Sequence, residues 1–179
     1  MKFKVLLIAC IALSVALDAR AQKSNAEYIE DLKTAGYPGI LPLSFSITKK
    51  NYALTALYKS KDDKNALNYF AEISANKDGA SIVFRSYWQC APTDNAKLLQ
   101  ERIIMISGQK VEAYYSCGHS PGESKTHEIY VIKSPAGNDF AKRAFVETNY
   151  VFVHLNGMPV PFHTEGFSKA MAESSGKAL

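Results

Sequence analysis

The amino-acid sequence predicts an α+β domain. It is mainly an antiparallel β-sheet of hairpins and meanders, with short helices at the N-terminal side, over 139–147 and at the C-terminal end. Three observations carry that expectation. Leu54 to Tyr58, Ile82 to Trp88, Ile103 to Ile106, Val111 to Tyr115 and Ile129 to Ile132 are β-rich runs separated by turn chemistry. Asn156-Gly157, the strongest two-residue hairpin signal, sits between two alternating apolar segments. Helix start and stop residues cluster at only a few places.

In chain order, a leader comes first. Lys2 and Lys4 form a short positive region, Val5 to Leu17 is an apolar run, and Ala19-Arg20-Ala21 supplies a small-x-small cleavage pattern. Residues 1–21 therefore read as a signal peptide cut between Ala21 and Gln22, leaving 22–179 as one exported domain. The run is too short for a transmembrane helix, which needs about 20 apolar residues. Leu7-Ile8-Ala9-Cys10 looks like a lipoprotein cleavage box, but the apolar run continues past it to Leu17.

Ser24 and Glu27 form a capping box, Ile29 and Leu32 an apolar stripe, and Gly36 and Pro38 a stop, so 25–35 should be helical. Residues 65–74 fit two patterns. Ala66, Phe70 and Ile73 suit a helix, whereas Leu67, Tyr69, Ala71 and Ile73 suit a strand. The turn-like Asn76-Lys77-Asp78-Gly79 leading into 80–89 favours the strand. Asp139 to Glu147 behind Asn138, and Phe167 to Glu173, read as helices.

Hairpin 150–163 is specified most closely. The Asn156-Gly157 turn pairs Leu155 with Met158, Val153 with Val160 and Val151 with Phe162, all on one face. Pro159 and Pro161 then fall at non-hydrogen-bonded pairs. Their missing N–H groups forbid a further strand, which makes 158–162 a sheet edge.

Composition narrows the function classes. A chain of 179 residues with 47% hydrophobic and 21% charged residues excludes a disordered tail or a disulfide-dense miniprotein. The net charge of +4 falls to about +2 without the leader, and Arg85, Arg102 and Arg143 are the only arginines beyond it. No basic stripe is present for a nucleic-acid partner. Export would also put Cys90 and Cys117 in an oxidising compartment. Cys90 shares strand parity with Ile82, Phe84 and Trp88, and Cys117 with Val111, Ala113 and Tyr115, so both sulfurs face the apolar side. A disulfide there would close a loop worth about 3.5 kcal/mol on the chain-entropy model.

Two pieces of chemistry are offered by the 118–127 loop. Gly118-His119-Ser120-Pro121-Gly122 satisfies the nucleophile-elbow pattern, and Asp139 with His154 or His163 follows in hydrolase order. Pro121, however, lacks the N–H that the oxyanion hole needs at that position. His119, Glu123 and His127 have metal-ligand types at a spacing of four, but Pro121 and Gly122 disfavour the helix that would gather them. The expectation is no catalytic residue, no metal and no cofactor.

The candidate binding surface is aromatic. Tyr87, Tyr114 and Tyr130 lie opposite their neighbours' more apolar positions. Tyr150, Phe152, His154 and His163 share the second face of the last hairpin. His154 and His163 would lie about 13 Å apart there, too far to share a metal. Tyrosine-rich strands provide large contact area at little entropy cost, which suits a protein partner.

Ile104 to Cys117, a hairpin ending Tyr-x-x-Cys, and the tail Asn156-Gly157-Met158-Pro159-Val160 leading to Gly166-Phe167-Ser168-Lys169-Ala170 resemble the invasion-associated locus B family of exported bacterial proteins. The resemblance covers the second half only, and this chain has fewer mature cysteines than the family pattern. It implies an envelope-associated, β-rich, non-enzymatic protein, and carries over no functional residues.

These observations lead to a periplasmic or secreted protein-binding module, with an inhibitor or immunity-type protein as one concrete form. Its expected partner is another protein in the envelope or secreted, with neither nucleic acid nor a membrane span involved. Two alternatives stand beside it: a small periplasmic hydrolase or metal-binding protein using the 118–127 loop, and a structural envelope component.

Overall fold

The structure is a computed structural model that describes residues 25–34, 39–43, 45, 52–58, 67–76, 79–86, 90, 99–119 and 126–175. The leader and the Ser24 end of the capping box lie outside the described residues. The elements in chain order are α1 (Asn25–Thr34), β1 (Gly39–Leu43), β2 (Tyr52–Tyr58), β3 (Leu67–Asn76), β4 (Gly79–Ser86), β5 (Gln100–Ile106), β6 (Gln109–His119), β7 (Thr126–Ile132), α2 (Pro135–Glu147), β8 (Tyr150–Leu155), β9 (Met158–His163) and α3 (Phe167–Ser174). All these strands join one antiparallel sheet in the order β1-β2-β3-β4-β7-β6-β5-β8-β9. The α+β class is as expected.

Period-two alternation decides the ambiguous segment. In β3, Tyr69, Ala71 and Ile73 are buried while Phe70, Glu72 and Ser74 are half-buried, and Asn76 pairs with Gly79 at the turn into β4. The last hairpin has the expected register, with Val151 opposite Phe162, Val153 opposite Val160 and Leu155 opposite Met158. Asn156 and Gly157 have φ of 53° and 75°, the positive pair that a type I′ turn requires.

Three local expectations are corrected. In α1 the buried pair is Tyr28 and Leu32, one helical turn apart, and Ile29 is exposed. Helix α2 starts at Pro135, four residues before the expected start. Ser134 caps it by accepting the Gly137 N–H at 3.1 Å, and proline at the first position has no N–H to satisfy. Asn138 is thus no boundary: its Oδ1 accepts the Ile82 N–H at 3.2 Å and ties α2 to β4. Strand β1, which the sequence pattern does not announce, carries Pro42 and is tolerated because it ends the sheet.

The sheet curls until its two ends meet. β9 is the last strand in the order, as its prolines require, yet Pro159 and Pro161 are buried rather than solvent-facing. At a non-hydrogen-bonded pair the Pro161 carbonyl points away from β8. The buried Thr55 hydroxyl of β2 donates to it. Inside the curl, α2 and α3 contribute Phe145 and Phe167, with ring centroids 5.0 Å apart. Phe45 packs on both, and Phe84 joins Phe145 to Phe162. Each fully buried phenylalanine contributes about 2–3 kcal/mol.

Gly166 locks this core from outside. Its φ is 81°, and a Cβ there would lie 2.6 Å from the Phe45 carbonyl oxygen; the Phe45 N–H in turn donates to the Glu165 carbonyl at 3.0 Å. Gly166→Ala is expected to cost about 1–3 kcal/mol. Gly118→Ala, which meets open space at an ordinary backbone angle, should leave the thermal midpoint nearly unchanged. Thermal unfolding of the two variants checks the difference.

Candidate interaction face and the buried carboxylate behind it

Strand β7 sends alternate residues to opposite sides. Glu128, Tyr130 and Ile132 point into the curl; His127, Ile129 and Val131 point out. An acidic residue in an inward position needs donors, because an unpaired buried carboxylate costs several kcal/mol. Glu128 is buried and has them. Ser86 Oγ donates to Oε2 at 2.8 Å, Tyr115 Oη to Oε1 at 3.1 Å, and Asn156 Nδ2 to Oε2. Tyr130 Oη lies 3.3 Å from the same Oε2 and donates to Asn156 Oδ1 at 2.7 Å. The carboxylate therefore joins β4, β6, β7 and the β8–β9 turn.

Tyr130, expected on the binding surface, belongs to this cluster instead. Burial first, and then the charge of Glu128, push the Tyr130 phenol well above its usual range; the same causes in the same order raise Tyr115. The Arg102 guanidinium stacks 4.4 Å from the Tyr115 ring centroid and opposes both shifts. Sequence reasoning does not single out Glu128. The available signal is a glutamate sharing parity with Tyr130 and Ile132.

The two cysteines are bonded, with Cα atoms 6.0 Å apart, and both are half-buried. Cys117 keeps the expected parity with Val111, Ala113 and Tyr115 on β6. Thr126 Oγ1 donates to the Cys90 carbonyl at 2.7 Å, holding the bridge to the start of β7.

Of the hairpin residues, Tyr150 faces His163 with ring centroids 4.9 Å apart, and His163 Nδ1 lies 3.8 Å from Glu165. Phe152 is not open surface, since Tyr28 of α1 stacks on it at 4.4 Å and leaves it buried. The same Tyr28 meets His154 edge-on at 5.8 Å. This face is the seat of α1: Phe152 is buried, while Tyr150, His154 and His163 are half-buried. An amphipathic helix whose partner face is also aromatic is a non-local fit that neither segment announces alone.

The outer face of β4, β7, β6 and β5 is different. Tyr114, Ile129 and Val131 are half-buried and Ile103 is 67% exposed. Lys133 pairs with Glu101 at 2.7 Å and Glu112 at 3.6 Å, and its ammonium lies 5.9 Å from the Tyr114 ring centroid. On the far side, Arg85 binds Glu72 at 2.6 Å and approaches His127 Nε2 at 3.4 Å. Among the described residues, no helix packs on this face: α1 covers β8 and β9, and α2 and α3 fill the curl. A cleft of about 670 Å³ lies at the end of the sheet, between the β5–β6 turn and α2, with Lys110, Arg143 and Glu147 on its walls.

Tyr87, Ser120 and Glu123 lie outside the described residues, as does the His119 side chain. After His119 the chain returns as an antiparallel partner, with His119 opposite Thr126, where a nucleophile elbow needs a helix. His127 is buried beside a guanidinium, a poor setting for a cation, and no three potential ligands converge among the described residues. Also among these residues, no helix is long and apolar enough to cross a membrane. Comparison of the chain with protein-family models, curated proteins and solved structures finds no match.

Glu128→Gln should cost about 1–3 kcal/mol in denaturant unfolding, because an amide whose oxygen keeps the bonds from Ser86 and Asn156 turns its NH2 toward the Tyr115 hydroxyl, and the charge-assisted bonds become neutral ones. A second outcome concerns alkali. A phenol whose pKa is raised by folding keeps its proton longer in the native state than in the unfolded chain. Its contribution is intact below the unfolded value of about 10 and is lost as pH climbs from there toward the folded value. Unfolding measured at stepped pH should show stability falling above about pH 10, with a shallower fall in Tyr130→Phe.

Proposed function

We propose that the mature chain is an exported, non-enzymatic protein-binding module, working in the periplasm or outside the cell through the outer face of β4, β7, β6 and β5. An inhibitor or immunity-type role is its concrete form. Export rests on the leader pattern of residues 1–21, and the Cys90–Cys117 bond suits an oxidising compartment. A non-enzymatic role is supported by Pro121, which withholds the N–H a Ser120 nucleophile would need. The resemblance to the invasion-associated locus B family points the same way.

One observation carries the reading: the apolar and aromatic strip of Tyr114, Ile129, Val131 and Ile103 is rimmed by the charges of Glu101, Glu112, Lys133, Arg85 and Glu72. A hydrophobic and aromatic centre with a polar rim is the anatomy of a protein interface. Tyr114 provides its anchor, a rigid ring with a polar tip.

The test is affinity capture from a native periplasmic extract and from the secreted fraction, using protein purified with its disulfide intact. The wild-type protein should retain one protein at fixed stoichiometry. Tyr114→Ala and Ile103→Lys should each weaken that binding about tenfold or more with little change in thermal midpoint. Blanks from both fractions, or a partner indifferent to both variants, would overturn the proposal.

A further inference from the structure

Strand β5 outruns its neighbour. On the β8 side its pairing covers Met105 with His154 and Ile106 with Val153, and the Ser107 N–H donates to the Phe152 carbonyl at 2.8 Å. That register places Leu155, the last residue of β8, opposite Ile104 and would place Asn156 opposite Ile103. At Asn156, however, the chain has already turned back toward β9, held by the bonds of Asn156 with Glu128 and Tyr130. Main-chain groups of an antiparallel strand alternate sides with period two. Since Ser107 and Met105 point toward β8, the N–H and C=O of Ile103 and Glu101 point the same way, into an edge that no described strand fills. Residues Leu99 to Ile103 are all exposed, Leu99 at 59% and Ile103 at 67%.

The side chains on this edge define what fits. Leu99, Glu101 and Ile103 share one face, Gln100 and Arg102 the other. Lys133 already pairs with Glu101. Arg102 stacks on Tyr115 and donates to Gln100 Oε1 at 3.3 Å, and it has no carboxylate partner among the described residues. An added strand thus meets an apolar contact at Ile103, an unpaired cation at Arg102 on the opposite face, and two donors and two acceptors between them.

We propose that the open edge of β5 binds an extended peptide segment of the partner protein by strand addition, with an apolar residue opposite Ile103 and an acidic one opposite Arg102. The proposal rests on the protein-binding reading and names the mode and chemistry of that contact. Main-chain bonds supply the affinity and alternate side chains the selection. An exposed edge of this kind is otherwise an aggregation hazard, and β9 at the end of the same sheet is protected by prolines and by Thr55.

The probe is a blocked six-residue peptide of alternating valine and glutamate, with a valine–lysine peptide as the charge control, titrated into the disulfide-intact protein. The readouts are affinity and amide hydrogen exchange. The valine–glutamate peptide should bind at millimolar or better affinity and slow exchange at the Glu101 and Ile103 amides selectively. Arg102→Glu should weaken it about tenfold, since attraction becomes repulsion at an exposed site. Ile103→Pro, which removes an N–H that β6 does not use, should abolish the protection. No binding, protection elsewhere, equal binding of the lysine peptide, or indifference to both variants overturns the strand-addition proposal. If those results occur while Tyr114→Ala still releases a captured partner, strand addition fails and the protein-binding reading stands. If the peptide binds as described while both captures stay blank, the edge chemistry stands and the protein-binding reading fails.

Discussion

Glu128 sits where β4, β6 and β7 converge inside the sheet, and its charge can remain there only while donors from all around it stay in place. Ser86, Tyr115 and Asn156 come from three different parts of the chain, and Tyr130 braces the last of them. Because a buried carboxylate without partners costs several kcal/mol, the arrangement of these strands is strongly specified by one side chain. Asn156 has two tasks. It adopts the positive φ of the hairpin turn, and its amide reaches the carboxylate. The length of β8 is set at the same moment, and with it the stretch of β5 left unpaired.

Curling gives the two sheet faces different fates. The inner face meets α2, α3 and the β8–β9 hairpin, and the aromatic cluster of Phe45, Phe84, Phe145, Phe162 and Phe167 fills it. On the hairpin's reverse side, Tyr28 of α1 stacks on Phe152 and meets His154 edge-on. What remains uncovered by described helices is the convex face around Tyr114 and the edge beside it, the surfaces proposed for recognition. Tyrosines thus serve three purposes here: Tyr115 and Tyr130 hold a charge, Tyr28 covers a hairpin, and Tyr114 faces outward beside Lys133.

The stabilising cluster and the proposed recognition edge meet at Arg102. Its guanidinium lies over the Tyr115 ring, whose hydroxyl binds Glu128, so the exposed edge of β5 is two contacts away from the buried charge. A change at the edge can therefore be felt inside through the electrostatics of Tyr115, while the hydrogen bonds of the cluster stay within the protein. The outer ion pairs of Lys133 are more exposed and contribute little to stability individually; in the proposed interface they would set the rim's charge pattern.

The sequence alone determined what depends on near neighbours. Period-two alternation identified most of the strands though not β1, Asn156-Gly157 set the register of 150–163, Pro159 and Pro161 placed β9 last in the sheet, and the parity of β6 placed Cys117 on the side of Val111, Ala113 and Tyr115. Each of these is decided within about ten residues by backbone geometry. Tertiary structure alone decided which face each strand presents to what. Tyr130 turns inward to a glutamate, Phe152 disappears under a helix more than a hundred residues earlier, and Asn138 binds β4 rather than starting α2. The edge of β9 is buried by Thr55. Alternation says that two faces exist and differ, but long-range packing and the need to satisfy a buried charge assign them.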